Sequence, residues 1–130
     1  MSQMESREPD EAVEPYVLAV LEPDETLRAR ARARDAVIAV SDRRLIVAAR
    51  ERVALSIGFD ELRRIQFDIE RDRPATMVIV PEEAHYEPQV LAIPPQAFRA
   101  TAEALALIGQ QLADIRQRDS RMNEGTLTEQ

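Results

Sequence analysis

A strand-turn-strand pattern at Ala36–Arg50 constrains the fold of this chain more than any other segment. It contains two apolar runs, Ala36–Val40 and Leu45–Ala49, in which β-branched residues dominate. Between the runs lies Ser-Asp-Arg-Arg, in which Ser41 and Asp42 favour a turn. The segment therefore predicts a β-hairpin. Because each run is apolar on both of its faces, we expect two central strands that are covered, wholly or partly, on both sides.

Further short segments before and after this hairpin also predict strands. Ile65, Phe67 and Ile69 alternate with polar residues, which is typical of a half-buried strand. The other segments are mostly short apolar runs bounded by turn residues. Consecutive strands with short links predict antiparallel meanders, packed as two sheets or as a partly open barrel of about seven strands. The predicted strands outside the hairpin are 27–34, 52–59, 62–70, 75–80 and 89–93.

A helix is predicted on each side of the strand region. Pro15 is tolerated only in a first helical turn, and Pro23 disfavours helix immediately before it, so a helix of about two turns fits between them. A longer helix is predicted from Pro95 to about Asp119. Its apolar residues recur every three or four positions, and this stripe would cover apolar surface that the sheets leave open. The stripe contains Phe98, Leu105, Ile108, Leu112 and Ile115.

The composition is that of one globular domain. The chain has 130 residues, of which 45% are hydrophobic, so it can bury a core without disulfides or a metal. We expect residues 1–10 to be a disordered acidic tail, 11–118 to form the domain, and 119–130 to be a polar tail. No apolar leader follows Met1, and no apolar stretch approaches the roughly 20 residues of a membrane span. The absence of cysteine fits a reducing compartment, so the expected location is the cytoplasm.

The basic residues are concentrated in one part of the chain. All 17 of them are arginine, which we interpret as the coding bias of a GC-rich bacterial genome. The net charge of the whole chain is −7, whereas residues 26–52 contain eight arginines and three acids. A basic block therefore lies within an acidic protein.

Residues 27–34 alternate strictly between apolar residues and arginines. Alanine and arginine both favour helix, but a helix would distribute these arginines around all sides, so the period of two predicts a strand with one wet face. Successive arginines on that face would lie about 7 Å apart and would repel one another. The apolar set is Leu27, Ala29, Ala31 and Ala33, and the arginine set is Arg28, Arg30, Arg32 and Arg34.

Several arrangements would relieve the repulsion within this arginine set. Acids on neighbouring strands, such as Glu51 or Asp68, would neutralise it, or water would solvate it. Otherwise the arginines bind an acidic protein, lipid headgroups or nucleic acid, although the net negative charge and the lack of nearby aromatic residues disfavour nucleic acid. The acidic N-terminal segment, from the same chain or from a neighbouring subunit, is a further candidate. The sequence leaves these alternatives open.

Three stretches resemble the bacterial pleckstrin-homology-like domains, whose fold is shared with the eukaryotic PH and GRAM modules. Leu21–Glu25 is similar to the family's L-x-P-G-E lead-in, with Asp24 where glycine is frequent. Val37–Val47 is similar to its hairpin, and Ile57–Ile65 to its I-x-Y/F-x-D/E-I-x-x-I stretch. The resemblance covers roughly Pro15–Arg116. It implies a mainly β fold with helices, in which a short N-terminal helix precedes a seven-stranded split antiparallel barrel and a long C-terminal helix caps it.

The sequence contains no recognisable catalytic pattern. His85 is the only histidine, and we expect it to be exposed in a polar loop bounded by prolines. No G-x-S-x-G motif and no glycine-rich phosphate loop occurs. We therefore expect a non-catalytic module without a cofactor, a metal or a small-molecule substrate. Its expected partners are proteins or a second copy bound at an exposed strand edge. The alternative is peripheral binding to anionic lipid headgroups through Arg28–Arg34.

The hairpin turn contains two further arginines. Asp42 is expected to cap the turn by an Asx-type hydrogen bond, with Arg43 and Arg44 pointing outward and one of them available for a surface salt bridge. The candidate partner-binding residues are thus Arg28, Arg30, Arg32, Arg34, Arg43 and Arg44.

Overall fold

The strands of the protein form two antiparallel sheets that follow one another along the chain. The computed structural model describes residues 16–50 and 52–128, with side chains as far as Arg121. The segment 1–10, predicted to be a disordered tail, lies outside the described residues. The first sheet contains, in spatial order, β1 (Leu27–Arg32), β2 (Ala36–Ser41), β3 (Arg44–Ala49) and β4 (Arg52–Gly58).

The second sheet is smaller and is connected to the first by a short 3₁₀ turn, Phe59–Glu61. The Glu61 carboxylate accepts a hydrogen bond from the Gly58 N–H at 2.9 Å and thereby caps this turn. The sheet contains β5 (Leu62–Asp68), β6 (Ala75–Pro81) and β7 (Gln89–Ile93). The seven predicted strands are confirmed.

The two sheets are not closed into a barrel. Their strands form two separate ladders, one of four strands and one of three. Just beyond β1, the Arg34 N–H donates to the Ala92 carbonyl of β7 at 2.8 Å and links the two sheets on that side. On the other side, which we call the open side, no ladder joins β4 to β5 among the described residues, although the C-terminal helix packs on the turn that connects them.

Both faces of the central hairpin are buried, as its composition predicts. Alternate residues of β2 and β3 face an inner cluster between the sheets and an outer cluster on the far side of the first sheet. Residues 16–20 form a helix, α1, whose Val17 belongs to the outer cluster. The largest inner residues include Ile38, Leu45, Ile57, Met77, Ile79 and Ile93. The buried outer residues are Val17, Val37, Ala39, Ile46 and Ala48.

The C-terminal helix, α2, spans Phe98–Thr128 and follows a 3₁₀ turn at Pro95–Ala97. It packs on β1, β2 and the Phe59–Glu61 turn, and Ala104 and Ile108 are fully buried against the inner cluster. The helix continues past Asp119 through the segment that we predicted to be a polar tail. Within the residues that the structure describes, no helix is long and apolar enough to cross a membrane.

Candidate functional site

A β-bulge in β1 separates the arginines that strict alternation would place on one face. Leu27 is opposite Ser41 in β2, but Ala29 is opposite Val40, so the register shifts between Leu27 and Ala29. As a result Leu27 packs against the outer cluster, whereas Ala29 packs against the inner one. The prediction that all four apolar residues of this strand share a face is therefore wrong at Leu27.

Arg30 and Arg32 lie on the outer face of the first sheet. They are opposite Ala39 and Val37 of β2, two residues of the outer cluster. Each of the two arginines already interacts with another part of the protein. Arg34 lies beyond the end of β1 and has an exposed side chain. The four arginines thus occupy different environments, and the acid Glu51 considered as a partner lies outside the described residues.

Arg28, at the bulge, borders a shallow pocket between β1 and α2. The pocket has a volume of about 480 Å³, and Arg30 and the exposed Glu103 also line it. Ala106, Leu107 and Gln110 complete its wall. A carboxylate among the arginines lowers the positive potential that an anionic ligand would meet.

The hairpin turn and the Leu21–Glu25 lead-in form one connected hydrogen-bond network, which we call the Glu25–Arg44 network. The Glu25 side chain is completely buried and accepts from Arg44 Nε at 2.9 Å and Nη2 at 2.5 Å. It also accepts from the Ser41 hydroxyl and, at 3.0 Å, from the Glu22 N–H. Arg44 Nη1 reaches Ser56 Oγ on β4 at 3.3 Å. The network therefore joins the lead-in to β2, β3 and β4.

Ser41, rather than Asp42, caps the hairpin turn. Its hydroxyl oxygen accepts from the N–H groups of Arg43 and Arg44, both at 3.0 Å. The Asp42 carboxylate instead accepts from the Thr26 N–H at 3.1 Å, and the Asp42 N–H donates to the Thr26 carbonyl at 2.9 Å. The expected Asx-type cap is therefore replaced by a serine cap, and Asp42 holds the chain that leads into β1.

A second ion pair lies beside the network but is exposed to solvent. Arg43 forms a bidentate contact with the Asp24 carboxylate, at 2.7 Å from Nη2 and 3.1 Å from Nη1. The Arg43 and Asp24 side chains are 44% and 76% exposed, whereas Arg44 is 23% exposed. Of the two turn arginines, Arg43 therefore points outward as expected, and Arg44 points into the protein.

The electrostatics of the network favour the charged form of Glu25. The hydrogen bonds from Arg44 lower the pKa of Glu25 to about 2, with help from Ser41 and the Glu22 N–H, although burial opposes this shift. The same contact raises the pKa of Arg44. Both groups thus stay ionised, and the arrangement is suited to holding the turn rather than to exchanging protons.

The described residues contain no group of three potential metal ligands among His, Asp and Glu. His85 is exposed in its loop, with Nδ1 3.7 Å from the Glu83 carboxylate and its ring 4.3 Å from the ring of Tyr86.

At the open side of the fold lie residues of β5 that the sequence analysis did not connect with the edge of a sheet. β4 and β5 are the last strand of one sheet and the first of the other, and each has one hydrogen-bonded neighbour within the part of the chain that the structure describes. Along β5, Arg64, Gln66 and Asp68 are exposed, while Ile65 and Phe67 pack against the inner cluster. The alternation of residues 65–69 was visible in the sequence, but nothing in it indicated that this strand ends a sheet.

Comparison with solved structures identifies a similar fold. The crystal structure of a pleckstrin homology domain from Shewanella amazonensis SB2B matches with a TM-score of 0.51 and 16% sequence identity. The match covers 67% of this chain and 85% of that chain. The sequence matches no protein-family model and no curated protein. The chain therefore has a pleckstrin homology-like fold, as its three motif stretches predict, and a fold of this kind does not define a ligand.

Proposed function

We propose that this chain is a non-catalytic interaction module that acts through protein–protein contact, with self-association as its main form. The observation that supports the proposal is the open side of the fold, where β4 and β5 each pair on one side only among residues 16–50 and 52–128. An unpaired strand edge presents backbone N–H and C=O groups to which another strand can add. The pleckstrin homology-like fold, a common interaction module, agrees with this role. The proposal includes a cytoplasmic location, which fits a chain without cysteine.

Sedimentation velocity of the full chain over the micromolar range tests self-association. We expect the weight-average mass to rise with concentration above that of one chain, because a reversible contact between edges obeys mass action. A mass that stays at the monomer value at every concentration would contradict the proposal.

The second candidate function is peripheral binding to anionic lipid headgroups. It is supported by Arg28 and Arg34, whose side chains are exposed at the start of β1 and just beyond its end. Arg43 also lies at the surface, but its guanidinium is engaged by Asp24, and that of Arg44 by Glu25. Arg28 and Arg34 are therefore the residues to test.

Co-sedimentation with phosphatidylglycerol vesicles at low salt tests the lipid candidate. We expect binding that the double substitution Arg28→Gln/Arg34→Gln abolishes, because each removed arginine removes attraction to the anionic surface. The matched control is Arg99→Gln/Arg116→Gln, which removes the same charge from exposed positions of α2. Failure of the unaltered protein to sediment with the vesicles, or equal loss of binding in the control, would reject this candidate.

A further inference from the structure

The first strand of the second sheet, β5, has a free edge with a symmetric charge pattern. Arg64 and Asp68 lie two residues on either side of Gln66, and all three are exposed. Their partners in β6 are Val80, Val78 and Thr76, so they occupy the same outer face of the sheet. The edge opposite β6 has no strand beside it among the described residues.

Antiparallel pairing of this strand with a second copy about Gln66 would be self-complementary. In that register residue 64 faces residue 68 of the other copy, so each arginine would be opposite an aspartate on the outer face. On the inner face Ile65 would be opposite Phe67, and both are apolar. A shift by one residue would lose all of these matches.

We propose that two copies of this chain associate through antiparallel β5–β5 pairing about a two-fold axis at Gln66, which joins their two three-stranded sheets into one. This inference rests on the proposed function, since it specifies the edge and the register by which the module self-associates. The interface is isologous, so each copy contributes the same residues and the contact closes at the dimer.

Charged residues on an edge strand also have a protective role, because they discourage non-specific pairing. The two roles predict opposite effects of substitution. If Arg64 and Asp68 protect the edge, reversing the charge of one of them leaves association unchanged or alters it only through net charge. If they face each other across the axis, one reversal converts two attractive contacts into two repulsive ones.

Charge reversal in the full chain separates these roles by sedimentation velocity. We expect Arg64→Asp and Asp68→Arg each to weaken the dimer roughly tenfold to a hundredfold, and the double variant Arg64→Asp/Asp68→Arg to restore it. Asp68→Arg is the sharper single test, because it brings the net charge closer to zero and would otherwise favour association. Arg116→Asp, on an exposed position of α2 and with the same change in net charge as Arg64→Asp, is the control and should have a smaller effect. Thermal melts followed by circular dichroism verify that each variant is folded.

Cysteine crosslinking tests the register directly, because the chain has no native cysteine. Directly opposed residues in an antiparallel pair have Cα atoms about 4.5–5.5 Å apart, within the range that a disulfide spans. Gln66→Cys should therefore give a disulfide-linked dimer under mild oxidation, whereas Val90→Cys, exposed on β7 at the other edge of the same sheet, should remain monomeric on a non-reducing gel.

The outcomes distinguish this inference from the proposed function. An unaltered chain that is monomeric at all concentrations contradicts both. If the unaltered chain associates but the charge reversals leave association intact, β5 pairing is overturned and self-association remains. The same holds if Val90→Cys crosslinks as well as Gln66→Cys.

Discussion

At the scale of single residues, two adjacent ion pairs have the same chemistry but contribute differently to the stability of the protein. Asp24–Arg43 and Glu25–Arg44 are both bidentate carboxylate–guanidinium contacts. The first lies in solvent, where side-chain entropy and water offset most of the attraction. In the second the carboxylate is fully buried, so removal of Arg44 would leave that carboxylate unpaired, and removal of Glu25 would leave the largely buried Arg44 guanidinium unpaired. Burial, and not geometry, decides which pair matters for stability.

Substitution of neighbouring acids by their amides should reveal this difference. Glu25→Gln keeps the shape of the side chain but removes its charge, and we expect it to lower the free energy of unfolding by about 2–3 kcal/mol. This loss is smaller than the ~3–5 kcal/mol for breaking a fully buried pair, because the Arg44 side chain is 23% exposed. Asp24→Asn, the matched control, should leave stability nearly unchanged. Urea denaturation of both variants provides the measurement, and equal losses would show that burial is not the cause.

The same carboxylate predicts an acid-dependent stability. Glu25 has a pKa of about 2 in the folded chain against an ordinary value of 4.5, so the unfolded chain takes up the proton first as the pH falls. Its contribution of about 3 kcal/mol is complete above pH 4.5 and is lost as the pH falls from 4.5 towards 2. Denaturation across this window should show a steeper loss in the unaltered protein than in Glu25→Gln, and parallel profiles would contradict the assignment.

Sequence patterns identified the stretches of this network but not its contacts. Leu21–Glu25 and the Ser-Asp-Arg-Arg turn were both singled out, yet Glu25 and Arg44 are 19 residues apart and no periodicity links them. The turn residues Ser41 and Asp42 are both good caps, so local propensity could not decide which of them accepts the turn N–H groups. Such contacts depend on how the lead-in crosses the hairpin, which is a tertiary property.

At the scale of elements, periodicity predicted the strands and failed where the backbone departs from it. Residues 62–70 and 89–93 gave strands close to the predicted bounds, because alternation or an apolar run continues through them. In 27–34 the alternation is equally regular, but the bulge after Leu27 moves that residue to the other face. A bulge adds one residue to one strand relative to its partner, so it becomes visible only when the pairing is known.

Helix α1 provides a prediction at this scale, because it covers the outer face of the first sheet with very few residues. Val17 is 1% exposed within the outer cluster, whereas its neighbour Leu18 is 56% exposed. Val17→Ala removes two buried methyl groups, so we expect a loss of about 1–2 kcal/mol in the free energy of unfolding. Leu18→Ala should have almost no effect. If thermal melts showed equal destabilisation by both, the observed packing of α1 on β2 and β3 would be wrong.

At the scale of the whole molecule, net charge opposes the proposed self-association through β5. Each copy carries a net charge of −7, and two such copies about 35 Å apart would repel by about 6 kcal/mol in unscreened water. With a Debye length of ~30 Å at 0.01 M salt, about 2 kcal/mol of this repulsion remains, and almost none does at 0.15 M. The exposed contacts between Arg64 and the partner's Asp68 contribute only about 1 kcal/mol together. The long-range repulsion between the two net charges is therefore larger than the attraction of the Arg64–Asp68 contacts, and both depend on salt.

Salt should consequently strengthen the proposed dimer, although its interface would contain ion pairs. We expect the dissociation constant to fall roughly tenfold or more between 0.01 M and 0.15 M sodium chloride, measured by sedimentation of the full chain. The double variant Arg64→Asp/Asp68→Arg retains the net charge of −7 and should show the same dependence. A dimer that weakens as salt rises would mean that local ion pairs, rather than the charge of the whole molecule, govern the association.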